Sequence, residues 1–93
     1  EKMYMEKAGL SHEEAVMKGP NNPVYSYELA LFYYEREMHA EAVEWFEKTL
    51  AIRPGFRATY QNLAVSYENV GEAEKAVEYR KKALQQYPEL GDF

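Results

Sequence analysis

At 93 residues, 46% of them apolar, the chain is long enough for one small domain with a modest core and too apolar to stay unfolded. Its formal net charge of −5 argues against a mainly electrostatic hold on nucleic-acid phosphates. The absence of cysteine removes disulfides, thiolate nucleophiles and cysteine-held metals.

In chain order, Ser11 and Glu14 form a capping box that starts a short helix over 12–18. Residues 1–8 read as a helix before it, with Gly9 at the turn. Residues 1–22 are therefore expected to be a truncated helical hairpin or partial repeat, standing on the helix that begins at residue 23. Asn22–Pro23 is a helix start: Asn caps, and Pro in the first turn lacks an N–H that would be unpaired anyway. Leu29, Ala30, Tyr33 and Tyr34 then recur at helical spacing up to a break near Glu37–Met38. Ala42, Val43, Phe46 and Leu50 form a second amphipathic stretch that Pro54 ends. A third carries Tyr60, Leu63, Ala64 and Tyr67 and stops at Gly71; a fourth carries Ala76, Val77, Ala83 and Leu84 and stops at Pro88. No strand-like alternation competes.

These four stretches are two copies of one pattern. Pro20, Pro54 and Pro88 are spaced 34 residues apart, and the same shift superposes Leu29 on Leu63, Ala30 on Ala64, Tyr33 on Tyr67, Ala42 on Ala76 and Leu50 on Leu84. The units are 23–56 and 57–90, with 91–93 as a tail.

The pattern resembles the tetratricopeptide repeat. The second unit supplies the family's large, small and glycine positions with Tyr60, Leu63, Ala64, Tyr67, Gly71, Ala76, Ala83 and Pro88. It departs at Arg80, where the family has an aromatic. The first unit matches with Leu29, Ala30, Tyr33, Ala42, Phe46 and Pro54, and departs at Ser26, Glu37 and Thr49. The resemblance implies an all-α solenoid of antiparallel helix pairs, a segment of a right-handed superhelix. Independently of the family, alanines at the matched positions let helix axes approach, and Tyr33, Phe46, Tyr60 and Tyr67 fill the gaps they leave. Glu37 in a glycine position predicts that Glu37→Gly raises the melting temperature.

No catalytic constellation emerges. Ser11, His12 and Glu13 are chain neighbours whose side chains diverge, so capping accounts for them better than a relay. Glu35, His39 and Glu41 lack the second histidine that a metal site would want. Lys75, Arg80, Lys81 and Lys82 are read as offsetting the dipole at the end of the last helix. The chain is thus expected to be no enzyme and to need no cofactor or metal.

In the family the first helix of each unit lines a concave groove. The resemblance places Val24, Tyr27, Leu31 and Tyr34, then Ala58, Gln61, Asn62, Val65 and Glu68, on that face. Tyr27, Leu31 and Tyr34 make an apolar, aromatic strip suited to a protein or peptide partner; the alternative is that the two tyrosines pack on residues 1–18. Lys and Asn of the kind that clamps chaperone tails are replaced by Tyr27 and Leu31, with only Asn62 retained, so that ligand is not expected. The last helix lacks a cap after it, leaving Val77, Leu84 and Tyr87 bare. A longer parent protein is expected, consistent with a start at Glu1 rather than Met, with a homodimer through those residues as the alternative. Nucleic-acid and membrane partners are not expected, and the location is expected to be cytoplasmic.

Overall fold

The structure is a computed structural model that describes residues 12–55 and 57–86. Within them the chain is helical, with no strand: α1 (12–18), α2 (Pro23–Glu35), α3 (His39–Ile52), α4 (Arg57–Asn69) and α5 (Ala73–Gln86). None of these helices is long and apolar enough to cross a membrane. The expected helix over 1–8, the turn at Gly9, the cap at Ser11, the stop at Pro88 and Tyr87, expected to be bare, lie outside the described residues.

Local chemistry sets the helix ends. The Asn22 side chain accepts from the Val24 N–H at 2.9 Å, and Pro23 occupies the first turn of α2. At the other end Glu37 takes φ 59°, and its counterpart Gly71 takes φ 86°. The same bonds close both turns. Glu37 N–H donates to the Tyr34 carbonyl at 3.0 Å and Met38 N–H to that of Tyr33 at 2.9 Å. Gly71 N–H donates to Glu68 at 3.2 Å and Glu72 N–H to Tyr67 at 2.8 Å. The left-handed residue lets the chain reverse while pairing the last carbonyls of the helix.

Packing then runs in chain order. α3 lies against both α2 and α4, and α4 against α5. The described helices form an open line with extents of 40 × 26 × 18 Å and do not close into a four-helix bundle. One core runs through both units: Ala30, Ala42, Phe46, Leu63, Ala64, Tyr67 and Ala76. The four alanines are completely buried, which is how the helix axes come close enough for Phe46, Leu29 and Leu63 to be sealed from water.

Two departures of the first unit compensate each other. Ser26 and Thr49, both buried, share a hydrogen bond of 2.8 Å between their hydroxyls. Thr49 also donates to the Trp45 carbonyl at 2.9 Å. Their counterparts in the second unit are the buried pair Tyr60 and Ala83. A large–small pair in one unit is answered by a medium–small hydroxyl pair in the other, and neither Ser26 nor Thr49 is left unsatisfied.

α1 packs on α2 through His12, whose ring lies 5.5 Å from that of Phe32. Gly19 sits under Tyr25, where a Cβ would come within 2.8 Å of the ring. α1 ends with Gly19 N–H donating to Ala15 at 2.9 Å, the bond that Arg53 makes to Thr49 at 2.8 Å 34 residues later.

Candidate partner-binding face

Core packing claims one side of each inner helix and leaves another open. In α2 the buried side chains are Ser26, Leu29 and Ala30. In α4 they are Thr59, Tyr60, Leu63, Ala64, Ser66 and Tyr67. Offsets of three and four put Val24, Tyr27, Leu31 and Tyr34 on a different stripe of α2, and Ala58, Gln61, Val65 and Glu68 on the matching stripe of α4. Val24 is 50% exposed. Leu31, Ala58 and Val65 are half-buried. The stripes meet where the Tyr27 hydroxyl accepts from the Asn62 side-chain amide at 3.0 Å.

The tyrosines are tied to the core more firmly than their pattern indicates. Tyr27 and Tyr34 flank Phe46 with ring centroids at 5.7 and 6.1 Å, and Tyr34 meets the His39 ring edge-on at 5.5 Å. Burial raises the Tyr27 phenol above its usual value, partly opposed by the Asn62 hydrogen bond. Their ring partners Phe46 and His39 are on α3, whereas His12 of α1 meets Phe32. Replacing both tyrosines by alanine would therefore strip Phe46 of two flanking rings as well as altering the face.

The 34-residue shift carries this aromatic trio onto a polar one. Tyr27, Tyr34 and Phe46 become Gln61, Glu68 and Arg80. Arg80 and Glu68 form an ion pair at 2.7 Å. The hydrogen bond from Arg80 holds the Glu68 carboxyl below the usual carboxylate range. The departure at Arg80 is thus matched by Glu68 rather than left as an orphaned charge.

Other candidates disperse. Arg80 to Lys82 lie before the last turn of α5, which contains no basic residue, so an offset of the terminal dipole does not explain them. Lys82 instead pairs with Glu78 at 3.1 Å and lies over the Tyr79 ring at 4.7 Å, and Lys75 lies 5.5 Å from the Tyr67 ring. Among the described residues no group of three or more His, Asp or Glu converges as a metal would require. A shallow cleft of about 540 Å³ runs between α3 and α5, lined in part by Val43, Glu47, Lys48, Tyr67 and Lys75. There Glu47 accepts from Tyr67 and, at 3.4 Å, from Tyr79, a cluster that the repeat pattern alone does not reveal.

Sequence profiles of the tetratricopeptide repeat match residues 27–53 and again 58–90. Over 70 residues the chain is 34% identical to anaphase-promoting complex subunit 6 of Arabidopsis thaliana, covering 70% of this chain and 13% of that protein. Among solved structures it is similar to MamA, with a TM-score of 0.85 and 31% identity over 97% of this chain and 53% of that chain. It is similar in fold to the N-terminal domain of stress-induced protein-1 (STI-1) from C. elegans, with a TM-score of 0.82 and 21% identity over 91% of this chain and 74% of that chain. The chain therefore spans about half the length of the MamA chain and far less of the plant subunit.

Proposed function

We propose that this chain, which belongs to the tetratricopeptide repeat family, holds a peptide segment of another protein along the face made by α2 and α4. It is a repeat module in a family of protein-interaction scaffolds. The observation that carries the finer reading is the stripe of Val24, Leu31, Ala58 and Val65, which lies off the buried face of both helices. Apolar contacts there supply affinity, with Tyr27 and Tyr34 as rigid aromatic neighbours and Gln61, Asn62 and Glu68 fixing register at the rim.

A photo-crosslinking residue placed at Val24 or at Val65 tests this. Both are expected to capture the same partner from the source extract, and the same residue at Lys48, on α3, is expected not to. Equal capture from all three positions would move the interface off this face.

One observation favours a second reading, self-association through α5. Val77 is 47% exposed, whereas its first-unit counterpart Val43 packs against the core. Leu84 is half-buried beside it on α5. In that case a charge at Leu84 leaves the chain monomeric by light scattering where the native chain is not.

A further inference from the structure

Resting on the reading of α2 and α4 as the partner-binding face, we infer that its occupant is cationic: a segment with apolar side chains on one side and Lys or Arg beside them. The apolar stripe is bordered by carboxylates. Glu28 and Glu35 are exposed and come one residue after Tyr27 and Tyr34, along the flank of the stripe on α2. Glu68 stands on the matching stripe of α4. Positions 24, 27, 28, 31, 34 and 35 of α2, and 58, 61, 62, 65, 68 and 69 of α4, include no Lys, Arg or His.

The backbone adds to the same sign. α2 and α4 are equivalent helices of successive units, and neither has a basic residue in its last turn. Glu35 closes α2, so its carboxylate stands at the negative end of a helix dipole; Glu68, next to last in α4, is at the same end of its helix but has its charge paired with Arg80. Arg36, immediately after α2, is engaged elsewhere: it donates to the Phe32 carbonyl at 3.1 Å and lies 3.9 Å from the Phe32 ring centroid. Arg80 is taken up by Glu68. At these positions an acidic chain terminus would thus meet Glu28 and Glu35 and no cation. A basic segment would meet Glu28 and Glu35, and the chain's net charge of −5 would speed its approach.

Three synthetic peptides of equal length test this. Each carries Leu at helical i, i+3, i+4, i+7 spacing, with Lys, Gln or Glu at the intervening positions, and binding is read by fluorescence anisotropy at low and high salt. Two exposed ion pairs predict a Lys peptide bound roughly five- to tenfold more tightly than the Gln peptide, with the Glu peptide weakest and the differences shrinking in high salt. The exposed double substitution Glu28→Lys with Glu35→Lys is expected to invert that order. Equal binding of the three peptides, or an order that the double substitution leaves unchanged, overturns the inference.

The pair Val24→Asn with Val65→Asn, neutral and checked for folding by circular dichroism, separates this failure from that of the underlying reading. If the peptides bind equally and this pair abolishes binding, the face holds peptides and only the charge inference falls. If no peptide binds, or the asparagines change nothing, the reading of α2 and α4 falls and takes this inference with it.

Discussion

Glu37 shows how a single residue can be wrong for its backbone and still be tolerated. At φ 59° its Cβ is crowded in a way that glycine at the equivalent turn avoids. The turn survives because the two backbone hydrogen bonds that close it do not depend on the side chain. Replacing Glu37 by glycine should stabilise the chain by up to ~1 kcal/mol, seen as a raised thermal midpoint; a fall would mean that the carboxylate makes a compensating contact. Ser26 and Thr49 teach the converse. Each is a departure from the repeat when taken alone, and together they are a satisfied hydrogen-bonded pair. Single-position comparison with the other unit cannot register this, because the compensation lies 23 residues away.

At the scale of elements, Glu47 ties three helices together from α3 by accepting from Tyr67 of α4 and Tyr79 of α5. The two tyrosine rings stack with centroids at 5.5 Å and planes at 15°. Burial first, and then the Glu47 carboxylate, raise the Tyr67 phenol well above its ordinary value of 10.0. That gives the pH dependence a definite sign. Below the ordinary value the phenol is protonated in both states, and the stability is fully present. As pH rises the unfolded chain ionises first, so stability falls until the folded phenol also ionises. Tyr67→Phe should therefore lose about 1 kcal/mol at neutral pH, where the hydrogen bond is missing, and lose less than the native chain as alkali is added. Denaturant melts at neutral and alkaline pH would show the two curves converging; parallel curves would place the alkaline sensitivity elsewhere. The raised Tyr79 phenol, burial being its leading cause, leaves some alkaline sensitivity in the variant.

For the whole molecule, the decisive contrast is between the two units. The first unit offers Tyr27, Tyr34 and Phe46, with Phe46 sealed in the core. The second offers Gln61, Glu68 and Arg80 in the same places, the last two joined by an ion pair. A stacked array gains its stability from interfaces between neighbouring units, so the chemistry at these positions governs what can stack on each unit. Restoring the first unit's chemistry with Glu68→Tyr and Arg80→Phe should expose a fresh aromatic surface and raise self-association, read as faster sedimentation at increasing concentration. An unchanged sedimentation coefficient would show that the ion pair is not what keeps this face wetted.

By itself the sequence determined the repeat and, among the described residues, the helices and the breaks between them. These depend on local spacing, caps and turn residues, and the core positions among them recur at an interval of 34 residues. The resemblance to the repeat family, rather than periodicity alone, singled out Val24, Leu31 and Val65 as a candidate face. Only the tertiary structure decided what the irregular residues do: Ser26 with Thr49, Glu68 with Arg80, and Glu47 beneath two tyrosines. The physical reason is that such pairs are selected by contact across helices, where the partner's distance along the chain carries no signal and only the packing of one helix on the next brings the groups together.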